Sequence, residues 1–261
     1  MTIALPPTAN LFDLSGRTAL ITGSSQGIGL AIAGALAGAG ARIVLNGRNQ
    51  ARLEDAATSL RAVGARVDVA VFDVTDPAEV VRSVEAIEAG GTAIDILINN
   101  AGIQRRQPLE DFPVETWREI MTTNVDAVFY VGQAVARHMI ARGRGKIINI
   151  ASVQSELARP SIAPYTASKG AVKNLTRGMC ADWARHGLQI NAIGPGYFAT
   201  PLNQALVDDA EFDAWLKKRT PTGRWGRLED LYGAAVFLAS SASDFVNGQI
   251  LYVDGGLTSV I

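Results

Sequence analysis

Tyr165 and Lys169 lie four residues apart in a segment, residues 163–185, that reads as helix. One helical turn sets an ammonium beside a phenol. A cation that close favours the phenolate and lowers the tyrosine pKa, giving a proton donor and acceptor usable nearer neutral pH. Far upstream, Thr22-Gly23-Ser24-Ser25-Gln26-Gly27-Ile28-Gly29 forms a glycine-rich turn between a short apolar run and an Ala-rich helix. Gly23 allows a tight exit from the strand, and Gly27 and Gly29 let backbone approach phosphate and helix approach sheet. Ser25, Gln26 and Ile28 complete the turn, and the helix beginning there offers free N–H groups and a positive dipole end to a pyrophosphate. Either signal alone is weak. Together they predict proton transfer beside a bound nucleotide.

Other residues fall where such a site needs them. The second predicted strand ends Leu45-Asn46-Gly47-Arg48. An acid there would bind the ribose 2′-hydroxyl of NAD(H), but none is present, and Arg48 suits a 2′-phosphate, so NADP(H) is favoured over NAD(H). Asp73-Val74 follows the third strand, where an adenine is expected. Asn99-Asn100-Ala101-Gly102 follows the fourth, with small residues that let backbone approach a ribose; Asn99 either joins in this or ties loops together. Ser152 follows the predicted strand 146–150, and Asn124 lies within a long helical stretch before it.

The elements that carry these residues alternate from end to end. Strands are predicted over 18–22, 42–45, 67–72, 94–98, 146–150, 189–193 and 249–253. Helices are predicted over 28–39, 50–63, 77–89, 114–140 as one long or broken helix, 163–185 and 228–239. This βαβα rhythm implies an α/β doubly wound parallel sheet of about seven strands with helices on both faces, joined by right-handed crossovers. No break in composition marks a second domain, so residues 1–261 are expected to form one unit with a tail over 1–10. The longest connection, 195–227, has its own helical pattern around 209–218 and is expected to act as a lid.

Composition narrows the class. Apolar residues make up 48% of the chain and aromatics 7%, which suits an Ala, Val, Ile and Leu core around a buried parallel sheet. A net charge of −1 argues against a general nucleic-acid binder. Cys180 is the only cysteine, so no intrachain disulfide forms and a reducing, cytoplasmic setting is expected. The first ten residues lack a signal-peptide pattern, and no apolar stretch is long enough to span a membrane. With His138 and His186 the only histidines and no cysteine pair, no metal site is expected.

The joint pattern resembles the classical short-chain dehydrogenase/reductase family over nearly the whole chain, from Thr22 to Gly256. It is carried by Thr22-Gly23-x-x-x-Gly27-x-Gly29, Asn99-Asn100-Ala101-Gly102, Asn124, Ser152, Tyr165-x-x-x-Lys169 and Pro195-Gly196. The resemblance implies a Rossmann-type fold and a secondary alcohol–ketone interconversion by hydride transfer. Tyr165 would move the proton, Lys169 would depress its pKa and hold the nicotinamide ribose, Ser152 would hydrogen-bond the substrate oxygen, and Asn124 would hold a water in a proton path. Thr200, after Pro195 and Gly196, would steady the carboxamide. It also implies a homotetramer, with the long helices 114–140 and 163–185 at one contact and 249–261 at another.

Within the family, the stretches after Asn99, Ser152 and Pro195, together with Gly223-Arg224-Trp225-Gly226-Arg227, resemble members acting on sugar acids. These imply D-gluconate and 5-keto-D-gluconate as the substrate pair. A bidentate arginine suits a carboxylate, and Arg105, Arg106 and Arg159 fall on loops expected near the crevice, as do Gln154 and Glu156. Arg105 or Arg106 is expected to pair with the carboxylate. Oxidation of 2-deoxy-D-gluconate at C3 and reduction of a 3-oxoacyl carrier-protein thioester are the alternatives within the family, and a non-catalytic NADP(H)-binding protein is the alternative outside it.

Overall fold

The structure, a computed structural model, describes residues 8–261, so most of the expected tail lies outside the described residues. Seven parallel strands form one sheet: β1 (Thr18–Ile21), β2 (Arg42–Gly47), β3 (Val67–Val71), β4 (Ile96–Asn99), β5 (Gly145–Ile150), β6 (Leu188–Pro195) and β7 (Ile250–Val253). Their order is β3-β2-β1-β4-β5-β6-β7. The helices are α1 (Gly27–Gly38), α2 (Gln50–Ala62), α3 (Pro77–Ala89), α4 (Val114–Met121), α5 (Ala127–Arg142), α6 (Ala163–Trp183), α7 (Gln204–Val207), α8 (Ala210–Arg219) and α9 (Tyr232–Ala239). The predicted seven-strand, doubly wound α/β architecture is the one observed.

Strand residues alternate between two cores, as the period of two requires. Ala19, Ile21, Ile96, Ile98, Ile148 and Ile150 pack with Ile32 and Leu36 of α1, Leu53 of α2 and Ala235 and Leu238 of α9. Leu20, Leu97 and Ile147 point the other way, into Val80 and Val84 of α3, Val131 and Val135 of α5 and Val172 of α6. Both faces of the sheet are therefore covered, which is why the strands read as near-continuous apolar runs.

Strand bounds shift by one or two residues from expectation, β6 reaching Pro195, and two of the shifts have local reasons. β2 runs past Leu45 because the Asn46 side chain donates to the carbonyls of Ala70 and Phe72, both at 3.1 Å, and so extends its pairing with β3. β4 starts at Ile96 because the buried Asp95 carboxylate accepts from the Thr18 N–H at 3.1 Å. The stretch 114–140 is broken, as one of its two expected forms. A π turn over Thr122–Asp126, closed by the Ala127 N–H donating to the Thr122 carbonyl, separates α4 from α5. Among the described residues, no helix is long and apolar enough to cross a membrane.

The strand order reverses between β1 and β4. Connections leave this point toward opposite faces and open a crevice at the carboxyl ends of the strands. The glycine turn after β1, the Asn-Asn-Ala-Gly segment after β4 and Ser152 after β5 all meet there.

Candidate active site

The crevice is a cleft of about 770 Å³. Its outer end is built on the glycine turn. Gly23 has φ +61°, and a Cβ there would stand 2.9 Å from the Ala101 Cα, so only glycine lets the β4 loop close onto the turn. That loop is stitched down by Asn100, whose Nδ2 donates to the carbonyls of Thr22 and Gly23, both at 2.9 Å. Gly29 lies behind the cleft wall, where a Cβ would strike the Asn100 Nδ2 at 2.5 Å. Gly23, Ser25, Gln26, Gly27 and Ile28 line the cleft. α2, α3 and α8 are each capped by a side chain, from Asn49, Asp76 and Asp209. Like α4, α5, α6, α7 and α9, α1 has no side-chain cap. Its first N–H groups thus remain open beside the cleft, as an anion site needs.

Asn46 and Arg48 line the next stretch, joined by Asn49 and Arg52. The Arg48 guanidinium is largely exposed and 3.6 Å from the Asp73 carboxylate. Asp73 also accepts from the Thr75 N–H and hydroxyl, at 2.9 and 2.7 Å. Burial alone would raise its pKa; the Thr75 hydrogen bonds and Arg48 outweigh burial and hold it below the usual carboxylate value. Val74, Asn100, Ala101 and Gly102 complete this wall. Asn99 is turned away from the cleft and donates to the Asn149 Oδ1 at 2.9 Å, so it ties β4 to β5.

At the inner end, Ser152, Tyr165 and Lys169 come together from β5 and α6. The Lys169 Nζ lies 5.7 Å from the centre of the Tyr165 ring and donates to the Ile150 carbonyl at 2.7 Å. Here the expectation of a depressed tyrosine pKa meets a correction. Burial pushes Tyr165 up to about 12, with the Ser152 hydroxyl opposing the rise. Burial also lowers Lys169, to about 8. Helical spacing brings the pair together, but enclosure disfavours the charged form of both. Pro195, Gly196 and Thr200 line the cleft opposite.

Asn124 sits behind this group, fully buried. Its Oδ1 accepts from the Ile103 N–H at 2.8 Å, and its Nδ2 donates to the Ile103 carbonyl and the Ser168 hydroxyl at 2.9 and 3.0 Å. The side chain expected to hold a water is therefore committed to protein partners.

The arginines separate. Arg106 lines the cleft, whereas Arg105 is exposed outside it and pairs with Glu119 at 2.9 Å. Arg105 thus departs from its expected place, because an acid one helical element away takes its charge. Glu156 also turns away, bound to Lys173 and accepting from the Tyr252 hydroxyl at 2.9 Å. Gln154 and Arg159 line the cleft with Tyr197. Burial lowers the Arg106 pKa, and the neighbouring Arg159 charge lowers it further while Tyr197 opposes. Arg52 and Tyr197 are additions. Arg52 stands in the first turn of α2, after the cap Asn49 that separates it from Arg48. Tyr197 gave no signal beyond lying between Gly196 and Thr200.

Two buried acceptors on the cleft wall, the Asn46 Oδ1 and the Gln154 Oε1, have no protein partner among the described residues. Buried polar atoms without partners mark places where a ligand donor is missing. With the uncapped α1 terminus and the glycine-closed turn, they fit a dinucleotide at one end and a hydroxylated substrate at the other. Among the described residues, no group of three or more His, Cys, Asp or Glu side chains is arranged to hold a metal.

A family model described as enoyl-(acyl carrier protein) reductase matches residues 23–258. Gluconate 5-dehydrogenase of Gluconobacter oxydans is 65% identical over 249 residues, covering 95% of this chain and 97% of its own. The 5-keto-D-gluconate 5-reductase of Escherichia coli is 54% identical over 248 residues, covering 95% and 98%. A crystal structure of gluconate 5-dehydrogenase from Burkholderia cenocepacia, in complex with NADP and tartrate, matches with a TM-score of 0.95 at 62% identity, covering 97% of this chain and 100% of that one. With its seven-stranded parallel sheet and a family match spanning all but its two ends, the chain belongs to the short-chain dehydrogenase/reductase family.

Proposed function

We propose that this chain is an NADP(H)-dependent oxidoreductase interconverting D-gluconate and 5-keto-D-gluconate. The observation that carries the reading is one continuous cleft, with Ser152, Tyr165 and Lys169 at its inner end and the uncapped α1 terminus at its outer end. High identity to relatives named for this pair of sugar acids supports the choice of substrate.

The α1 terminus and the turn from Gly23 to Gly29 would hold the pyrophosphate. Arg48 and Arg52 would meet the 2′-phosphate, with Asp73 and Val74 toward the adenine. Asn100, Ala101, Gly102, Tyr165 and Lys169 would hold the ribose on the nicotinamide side, with Pro195, Gly196 and Thr200 toward the carboxamide. NADP(H) held there would supply or accept the hydride.

The protein's own part is proton transfer and positioning. In oxidation, Tyr165 takes the hydroxyl proton from the substrate; in reduction, it returns one to the carbonyl oxygen. Ser152 hydrogen-bonds that oxygen and orients it. In reduction Lys169, held by the Ile150 carbonyl, returns a proton to the phenolate, and in oxidation the proton gained by Tyr165 leaves by the same route. Because the Asn124 side chain is committed, its role is to hold the π turn and the Ile103 segment in place, and backbone there carries any water in the proton path. The segment 195–227 acts as the lid. Arg106 faces the carboxylate and Gln154 reads hydroxyls.

The assembly is a homotetramer. Exposed apolar side chains on α4 and α5 (Val114, Trp117, Phe129) and near the C-terminus (Leu251, Val260, Ile261) supply two candidate contacts. A lone cysteine and use of NADP(H) suit a cytoplasmic enzyme.

Initial rates with D-gluconate, comparing NADP⁺ with NAD⁺ and with 2-deoxy-D-gluconate alongside, test the proposal. Faster reduction of NADP⁺ with D-gluconate supports it. Turnover of 2-deoxy-D-gluconate alone would keep the reductase and remove the substrate.

A further inference from the structure

The inner end of the cleft carries more positive charge than proton transfer requires. Among the described residues, two acids line the cleft, Asp73 and Glu119. Asp73 stands with Arg48 at the nucleotide end, and Glu119 is taken by Arg105. Arg106 and Arg159 are left on the wall with no carboxylate partner among the described residues, and the buried Arg159 Nε has no hydrogen-bond partner.

Arg159 is nevertheless held. Its guanidinium lies over the Phe212 ring, 5.4 Å from the centroid. Phe212 belongs to α8 and packs on Tyr197 with ring centres 5.5 Å apart, and Trp225 meets Tyr197 edge-on at 6.1 Å. The acid beside Phe212, Asp213, is occupied by the Trp225 Nε1 and Lys217, at 2.8 and 2.7 Å. An aromatic face fixes a guanidinium without cancelling its charge or using its donors.

A chain of contacts relates this arginine to the reacting atoms. The Ser152 hydroxyl accepts from the Gln154 N–H at 3.1 Å, and the Gln154 Nε2 donates to the Tyr197 hydroxyl at 3.4 Å. Tyr197 in turn neighbours Arg159 and Arg106, whose charges oppose the rise in its pKa that burial causes. One glutamine side chain and one tyrosine ring thus separate Ser152 from the arginines.

We infer that Arg106 and Arg159 form a two-arginine clamp for the substrate carboxylate, with Phe212 as the positioning residue of Arg159, and that the clamp selects an acid whose carboxylate lies several bonds from the reacting carbon. This rests on the sugar-acid reading above and extends it. A carboxylate attached directly to the reacting carbon would sit at Ser152, short of the arginines. The carboxylate of a hexonic acid reacting at C5 reaches across the Gln154 and Tyr197 stretch. The unpartnered Gln154 Oε1 is then placed to accept from a hydroxyl between the two ends.

The test uses the full-length protein with NADP(H) bound, in wild type, Arg159→Met, Arg159→Lys, Arg106→Met and Phe212→Ala. Steady-state kinetics with D-gluconate give the division between KM and kcat. Calorimetric titration with L-tartrate gives carboxylate affinity without turnover, and NADPH titration reports that each variant is folded. Loss of one charged partner should raise KM for D-gluconate and the tartrate Kd roughly 30-fold in either Met variant. Arg159→Lys should recover part of that loss, and Phe212→Ala should raise KM with its charge unchanged. An Arg159→Met that folds and keeps the wild-type tartrate affinity overturns the clamp, as does a wild type that binds no tartrate. If the wild type fails to oxidise D-gluconate, the proposed reaction falls. The tartrate titration then still decides the clamp, by its loss or retention in Arg159→Met.

Discussion

Tyr165 and Lys169 share one enclosure, and it acts on them in opposite directions. Burial raises the phenol to about 12 and lowers the ammonium to about 8. Oxidation needs the phenolate and reduction needs the phenol. The oxidation rate should therefore rise with pH through the alkaline range, while the reduction rate falls over the same range, as pH–rate profiles will show. Tyr165→Phe should lower kcat by about 10²–10⁴-fold, the usual share of a positioned acid–base group. Lys169 carries a stability consequence as well. Its folded value lies below an ordinary 10.5, so the buried ammonium is unfavourable at neutral pH by roughly 3 kcal/mol. The hydrogen bond to Ile150 offsets about 1 kcal/mol of this. Lys169→Met should thus be inactive yet more stable by about 2 kcal/mol at pH 7. The unfolded lysine still binds its proton between the two values, so wild-type stability rises with pH from about 8 toward 10.5. The gain of the variant is full below that window and lost across it. Chemical denaturation at several pH values measures both. The i, i+4 spacing of this pair was legible in the sequence. The burial that reverses the expected tyrosine shift was not, because it comes from segments that only the fold brings together, Ser152 and Tyr197 among them.

The π turn between α4 and α5 shows what an element contributes that its residues do not. Asn124 was legible as a site residue, and a broken helix was one of the two forms expected. Its partners were not legible. The Ile103 backbone and Ser168 are brought to it by the β4 loop and by α6, and neither leaves a local signature. Asn124→Ala would leave a part-buried N–H and C=O of Ile103 without their side-chain partner. It should cost about 2–4 kcal/mol of stability and lower kcat without altering which sugar acid is preferred. Denaturation and kinetics on the same sample separate these effects. The arginines teach the same lesson. Loop position placed Arg105 and Arg106 together, but Glu119 on α4 removes one of them from the cleft. Arg52, in the first turn of α2, was not legible beside Arg48, because Arg48 precedes the helix and its cap Asn49.

At the scale of the molecule, the alternation of apolar runs was sufficient for strand number, sheet type and the crevice at the switch point, because a parallel sheet buried on both faces leaves few other arrangements. Assembly is written less plainly, in exposed side chains. Trp117 on α4 and Phe129 on α5 stand in water in the isolated chain, which a homotetramer would relieve. Light scattering should give a mass of four chains for the wild type and a smaller species for Trp117→Glu combined with Phe129→Glu.

The reaction proposed for the cleft that holds Tyr165 is hydride delivery to C5 of a sugar acid. Reduction of 5-keto-D-gluconate with NADPH deuterated at nicotinamide C4 tests it most directly, with the product read by NMR. The expected product is a hexonate carrying deuterium at C5, formed by the wild type and about 10²–10⁴-fold more slowly by Tyr165→Phe. Deuterium at C2 or C3, or equally fast incorporation by Tyr165→Phe, would contradict that reaction.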